Sequence, residues 1–175
     1  MQGKETKAVL RKAPARLFFL ILFLLSADQL SKYLVRKWID AHESIDLLPF
    51  LSLENIKNSG IAFGMLQGHT GLVIFTSSAI VLLLIVTALA IMHDSRFLWP
   101  LAFLVGGSVG NLIDRFAFGQ VTDFLRLPHW PAFNLADVFI ITGVAMLLRV
   151  FMLEPEKNEE EKEEEGDGRG VSASV

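Results

Sequence analysis

Four apolar segments, each close to the length that crosses a lipid bilayer, constrain this chain more than any other feature of its sequence. They lie at about residues 17–38, 71–92, 97–115 and 134–153, and the 175-residue chain is 52% hydrophobic with a mean hydropathy of +0.46. An α-helix needs about 20 apolar residues to span about 30 Å of hydrocarbon. A soluble domain of average composition is less apolar than this. The sequence therefore predicts an all-α membrane protein with four transmembrane helices.

The connections between these segments set the relative topology. Residues 39–70 contain Pro49 and Gly60, which disfavour a helix, and the stretch SIDLLPFLSLENI is typical of short strands. The link at 93–96 is short, so the second and third helices are expected to pack antiparallel. Four crossings place both termini on one side of the membrane, and the connections 39–70 and 115–133 on the other.

Charge divides the chain into three parts. Residues 1–16 hold five basic and one acidic residue, which predicts a cytoplasmic arm by the excess of cations on that side of membrane proteins. Residues 17–153 form the membrane domain. Residues 154–175 hold nine acidic and three basic residues, a net charge of −6, and this leaves +3 for the rest of the chain. Such a tail cannot bury apolar surface, so we expect it to be disordered and dispensable for activity.

The first apolar segment begins like a secretory signal, with basic residues followed by a hydrophobic run. The candidate cleavage site after Ala27 has the bulky Leu25 three residues before the cut, and the apolar pattern continues beyond it. These features favour an uncleaved helix.

Composition also excludes several classes of site. The chain has no cysteine, so disulfides, thiol nucleophiles and cysteine-ligated metals are absent. The four histidines have no partner at helical or short spacing, so no metal site and no cofactor are expected. The N-terminal arm is the one concentration of basic residues, and nucleic-acid binding has no support.

Five polar clusters interrupt the apolar pattern. Because consecutive helices cross the membrane in alternating directions, all five clusters lie towards the same membrane face, which is the outer one in the favoured orientation. The first contains Asp28 and Lys32, an acid and a base at i, i+4. Asp28 lies 11 residues into the first apolar segment, about 16 Å at 1.5 Å per residue. A charge at that depth is costly and needs a partner. The pattern predicts a buried pair facing the bundle interior.

The remaining clusters surround the ends of the third and fourth helices. Gly106 and Gly110 form a GxxxG face that allows close helix contact, and Asn111 and Asp114 follow it at i, i+3. Asn134 is positioned to cap the fourth helix, with Asp137 in the first turn; Asn58 and Asp123 lie in the connections. We expect Asp114 and Asp137 to meet at one rim of the bundle.

Two carboxylates that meet in this way can hydrolyse an amide bond. Like charges a few ångströms apart share one proton near neutrality, so one carboxylate activates water while the other polarises the carbonyl. A carrier that binds protons or cations through intramembrane Asp residues is the alternative. A purely structural subunit is a third interpretation, which the number of polar clusters disfavours.

Five short motifs occur in a fixed order along the chain. They read DQLSK (28–32), NSGIAFG (58–64), GGSVGNLIDR (106–115), VTDF (121–124) and FNLAD (133–137). In this order and setting they resemble the lipoprotein signal peptidases, the type II signal peptidases of the bacterial cytoplasmic membrane, over about residues 17–153. Ser108 is a departure, since the glycine-rich motif usually carries Ala there. The resemblance implies an aspartic endopeptidase that cleaves diacylglyceryl-modified prolipoproteins just before the lipidated Cys.

The resemblance also implies roles for individual residues. The implied catalytic dyad is Asp114 and Asp137. The implied supporting or substrate-binding residues are Asp28, Lys32, Asn58, Gly60, Asn111, Arg115, Asp123 and Asn134. A small β-sheet and a mobile segment on the outer face, membrane lipid and a diacylglyceryl-prolipoprotein as partners, and globomycin-type inhibitors at the dyad are implied as well.

Overall fold

The computed structural model shows four long helices and a small antiparallel sheet, which confirms the predicted fold class. It describes the backbone of residues 2–41, 43–60, 69–91 and 93–153, and the side chains of these ranges from Pro14 onward. The acidic tail and residues 61–68, which include the last four residues of the second motif, lie outside the described residues. The elements are α1 (Gln2–Trp38), β1 (Ser44–Leu48), β2 (Leu51–Asn58), α2 (Thr70–Ile91), α3 (Ser95–Phe118), β3 (Val121–Arg126) and α4 (Leu135–Met152).

Each helix is long and apolar enough to cross a membrane, over Pro14–Trp38, Thr70–Ile91, Ser95–Phe118 and Leu135–Met152. These spans agree with the predicted segments to within about three residues. The basic stretch expected as a separate arm is helical and continuous with α1 from Gln2. Its residues are mostly Lys, Arg, Ala and Gln, which have high helix propensity.

Helix α3 is the central helix of the bundle. In the apolar 18-residue stretch of α3, 56% of the residues are buried, whereas 22%, 17% and 11% are buried in the corresponding stretches of α1, α2 and α4. Gly106 and Gly110 face α1, where an added Cβ would lie 3.1 Å from Leu24 Cβ and 2.5 Å from Asp28 Oδ2 respectively. The predicted close contact of the GxxxG face is therefore present, and a larger residue there would separate α1 from α3.

Local capping residues define the ends of α3 and α4. Asp94 accepts a hydrogen bond from the Arg96 N–H at the start of α3, and Gly119 ends this helix with φ 71°, a conformation that glycine adopts without strain. Asn134 starts α4 in a capping box with Asp137, as the sequence predicted. Because α3 ends at Gly119, the chain enters β3 two residues later, at Val121.

The sheet has the strand order β1-β2-β3, with antiparallel pairing throughout. Strand β1 lies within the stretch 44–56 that was predicted to form strands, β2 begins in it and extends two residues beyond it, and β3 lies in the 115–133 connection. In the register of β2 and β3, Ile56 pairs with Asp123 and Asn58 with Val121. Phe124 packs against Val35 and Ile39 at the end of α1. This contact fixes the sheet over one end of the bundle, which we call the sheet end.

Candidate active site

A cavity of about 450 Å³ lies between α2, α3 and α4 and reaches the sheet end. Each helix contributes residues spaced three or four apart, because such residues share one helix face. The lining consists of Ser77, Ile80 and Val81 of α2, Ser108, Asn111 and Arg115 of α3, Asp137, Ile140 and Ile141 of α4, Asn58, Val121 and Asp123 of the sheet, and Trp130, Pro131, Ala132 and Phe133. The cavity is thus polar near the sheet and apolar within the bundle.

Two carboxylates, Asp123 and Asp137, line the polar part of this cavity. Asp123 accepts hydrogen bonds from the side-chain amides of Asn58 (2.9 Å) and Asn134 (2.7 Å). Asp137 accepts from the Asn111 amide (2.7 Å) and from the Asn134 backbone N–H (3.1 Å). Asn134 therefore contacts both carboxylates and holds them on the same cavity wall. We call Asp123 and Asp137 the cavity pair.

The surroundings of Asp123 favour its protonated form. Burial first, and then the charge of Asp137, raise the pKa of the Asp123 carboxyl to about 6, although the hydrogen bonds from Asn58 and Asn134 act in the opposite direction. Because the charge of one carboxylate affects the other, the two behave as an interacting pair. A buried acid beside a second acid is the arrangement in which one proton is shared.

The predicted pair of Asp28 and Lys32 is present and fully buried, with the Lys32 Nζ 2.9 Å from Asp28 Oδ2. Asp28 also accepts the Ala136 backbone N–H at 2.9 Å, which ties α1 to the start of α4. Lys32 donates to Asn111 Oδ1 at 2.9 Å. Since Asn111 in turn donates to Asp137, this buried pair supports the cavity pair through one amide side chain.

Asp114 is held by two cations of α1, Lys32 and Arg36. Its carboxylate is fully buried and is not part of the cavity lining. It lies 3.8 Å from Lys32 Nζ and 3.4 Å from Arg36 Nη1, and it accepts the Thr122 backbone N–H at 3.0 Å. The sequence predicted that Asp114 meets Asp137 at one rim of the bundle, whereas the acid that lines the cavity together with Asp137 is Asp123. The physical reason is that α3 ends at Gly119 and β3 returns across the end of the helix, so that the Thr122 backbone covers Asp114 and the next acid, Asp123, lies at the cavity.

The remaining predicted residues lie around the cavity pair. Arg115 lines the cavity, and its Nη2 donates to the Gly60 carbonyl at 3.2 Å. Its Nε is buried without a hydrogen-bond partner among the described residues. Gly60 donates its backbone N–H to Asn58 Oδ1 at 3.0 Å. Arg115 and Gly60 thus connect α3 to the end of β2 beside Asp123.

Three residues of this network received no role from the sequence. Gln29 donates to Asp114 Oδ1 at 3.3 Å, Arg36 contacts Asp114, and the Thr122 hydroxyl accepts from Arg36 at 3.2 Å. Arg36 follows Lys32 by four residues, so helical spacing alone places both cations on one face. We call Asp28, Lys32, Arg36 and Asp114 the ion-pair cluster.

Comparison of the sequence with those of known proteins assigns the chain to a family. The family described as signal peptidase (SPase) II matches residues 20–153. The lipoprotein signal peptidase of Moorella thermoacetica is 39% identical over 137 residues, which cover 73% of this chain and 87% of the relative. That of Brevibacillus brevis is 36% identical over 145 residues, 81% of this chain and 97% of the relative.

Solved structures agree with the sequence match. One, described as a bacterial membrane enzyme structure obtained by the in meso method at 2.3 Å resolution, has a TM-score of 0.76 and 25% identity, and the match covers 82% of this chain and 92% of that one. A second, at 1.9 Å resolution, has a TM-score of 0.72 at 24% identity and supports the fold. The matched region contains both cavity carboxylates, their asparagine partners and all or most of each membrane-crossing span. This chain belongs to the signal peptidase II family.

Proposed function

We propose that this protein is an aspartic endopeptidase that removes signal peptides from diacylglyceryl-modified prolipoproteins, and that Asp123 and Asp137 are its catalytic residues. The observation that carries the proposal is the cavity pair, two carboxylates that Asn134 bridges in a cavity between α2, α3 and α4 of a signal peptidase II chain. The carrier alternative receives no support from the family match.

The two carboxylates take different roles. Asp123, whose pKa is raised to about 6, holds the shared proton. Asp137 lies in the first turn of α4 and accepts the Asn134 backbone N–H, which orients its carboxylate towards the cavity. Asp137 is therefore the general base and Asp123 the general acid.

Hydrolysis then follows from these protonation states. Asp137 accepts a proton from a water molecule as the water oxygen attacks the scissile carbonyl carbon, and Asp123 gives its proton to the carbonyl oxygen. The tetrahedral intermediate collapses when its C–N bond breaks, the amine takes the proton from Asp137, and Asp123 recovers the proton of the hydroxyl that becomes the carbonyl. The products are a signal peptide with a free carboxyl group and a lipoprotein whose N-terminal Cys bears the lipid.

The position of the cavity suits a substrate held in a membrane. The chain is a multi-pass membrane protein, and the cavity pair lies where the apolar helices meet the sheet. We propose that the protein lies in the bacterial cytoplasmic membrane with both termini cytoplasmic and the sheet end outside, because basic residues are concentrated at the N-terminal end of α1. Globomycin-type inhibitors are proposed to bind in the same cavity, in competition with the substrate.

Purified protein in detergent tests the function. It should cut a diacylglyceryl-modified precursor without any ion gradient, and Asp137→Asn should abolish cleavage while the thermal unfolding temperature stays near that of the wild type. An unlipidated precursor is the matched substrate control. Failure of the wild-type protein to cut the lipidated precursor, or undiminished cleavage by Asp137→Asn, would contradict the proposal.

A further inference from the structure

Two serine hydroxyls interrupt the apolar part of the cavity, one from each of two neighbouring helices. Ser77 of α2 and Ser108 of α3 both line it, beside Ile80, Val81 and Ile140. Ser77 lies 14 residues before the end of α2 and Ser108 13 residues after the start of α3, on either side of the short turn between these helices. At 1.5 Å per residue both hydroxyls lie about 20 Å from that turn, so they share one depth.

Neither hydroxyl is used by its own helix. Serine and threonine in apolar helices commonly donate to the carbonyl four residues earlier. Thr76, Ser78 and Thr142 do so here, with distances of 2.9, 2.7 and 2.8 Å. Within the part of the chain that the structure describes, Ser77 and Ser108 make no hydrogen bond. A hydroxyl in apolar surroundings gains free energy from a hydrogen-bond partner, so a ligand that supplies an acceptor at this depth is favoured.

The surrounding side chains define what that ligand is. The walls at this depth are branched aliphatic, and the charged lining residues are confined to the end near the sheet. A charged group would lose its hydration there without a partner, whereas a neutral carbonyl oxygen accepts hydrogen bonds from two hydroxyls at once. The occupant is therefore an apolar chain that carries a carbonyl.

We propose that Ser77 and Ser108 form a carbonyl-binding subsite for the membrane-embedded part of the substrate. The inference rests on the proposed function, because the diacylglyceryl-modified precursor supplies the carbonyl. Two groups of that substrate have the required chemistry, the acyl ester carbonyls of the lipid and the peptide carbonyls of the signal segment. The two sources are distinguished by experiment.

Ser77→Ala, Ser108→Ala and the double variant remove the hydroxyls with little change in volume. Each single change should raise KM about five-fold, because this is the loss of affinity that the removal of one neutral hydrogen bond causes. The kcat should be unaltered because the reacting carboxylates are untouched. The double variant should raise KM further. Thr87→Ala is the matched control, since Thr87 is an exposed hydroxyl-bearing residue of α2 outside the cavity lining.

A precursor with dialkyl ether chains in place of acyl esters identifies the carbonyl. If the lipid ester is the ligand, the wild type should show a raised KM with the ether substrate and the serine substitutions should add nothing. If a peptide carbonyl is the ligand, the serine effects should persist with the ether substrate. An unchanged KM for the double variant on both substrates, or an equal change in Thr87→Ala, overturns the subsite.

Direct binding keeps this outcome separate from that of the proposed function. Trp130 lines the cavity, so its fluorescence reports occupancy. The dissociation constant of the diester precursor is measured in the Asp137→Asn background with and without both serines. A wild type that cuts nothing refutes the proposed function, whereas an unchanged dissociation constant refutes the subsite.

Discussion

Four aspartates near the sheet end form two groups whose partners differ in charge. In the ion-pair cluster, Asp28 and Asp114 face the cations Lys32 and Arg36. In the cavity pair, the hydrogen bonds that the described residues give to Asp123 and Asp137 come from amide groups. A cation stabilises the ionised carboxylate, whereas an amide orients the carboxylate without a charge that opposes its protonation.

The comparison therefore separates structural acids from chemical ones. The ion-pair cluster crosslinks α1 to α3 and, through Ala136 and Thr122, to α4 and β3. The cavity pair borders the space where a substrate can enter. Asn111 joins the two groups, since it accepts from Lys32 and donates to Asp137. Substitutions in the two groups should differ in whether they change turnover or stability.

The largest difference is expected between Asp123→Asn and Asp114→Asn. Loss of a general acid should lower kcat about 10²- to 10⁴-fold with little change in unfolding temperature. Asp114→Asn should lower kcat less than ten-fold and reduce the unfolding free energy by about 2 kcal/mol. This loss is smaller than for a fully buried ion pair, because Lys32 still has Asp28 as a partner and Arg36 is partly exposed to solvent. Single-turnover rates and thermal unfolding in detergent measure both quantities.

The reverse outcome would return the catalytic role to Asp114, as the sequence motif implied. It consists of abolished turnover at normal unfolding temperature in Asp114→Asn, together with substantial turnover in Asp123→Asn. Asp46→Asn is the matched control, because Asp46 is an exposed acid of β1 outside both groups.

A second effect is expected from Lys32→Met, which leaves Asp28 and Asp114 buried without their shared cation. Breaking a fully buried pair costs about 3–5 kcal/mol of folding free energy. Lys37→Met on the same helix is the control, since Lys37 lies over the exposed Trp38 ring at 5.0 Å and should contribute less than about 1 kcal/mol. Equal unfolding temperatures for the two variants would show that the ion-pair cluster contributes little to stability.

The smallest effect concerns the proton on Asp123. The Asn58 amide stabilises the ionised form, so Asn58→Ala should raise the pKa of Asp123 above about 6. Activity that needs protonated Asp123 declines as pH rises through this pKa, and in the variant the decline should move to higher pH. The pH profile of kcat/KM measures the shift.

Asn55→Ala provides the control for this profile, because Asn55 is in the same strand and donates to the Ile39 carbonyl at 2.8 Å, away from Asp123. A profile that is unchanged in Asn58→Ala, or one that moves to lower pH, would exclude Asp123 as the general acid.

Much of this arrangement is predictable from the sequence where the signal is local. The apolar segments predicted the four helices, and Asp28 and Lys32 pair as their i, i+4 spacing requires. Asn134 caps α4, and Gly106 and Gly110 meet α1. The partner of Asp137 was harder to predict from the sequence, because Asp114 at the end of the third apolar segment and Asp123 shortly after it both occur in a motif.

The hydrophobic length of each segment and the spacing of residues within one helix were determined by the sequence alone, because a bilayer sets the length and helical geometry sets the spacing. Only the tertiary structure decided which acids face the cavity. The pairing of β3 with β2 covers Asp114 and places Asp123 beside Asn58 and Asn134, residues distant in the chain. Such contacts depend on how separate elements pack, and no local period in the sequence encodes them.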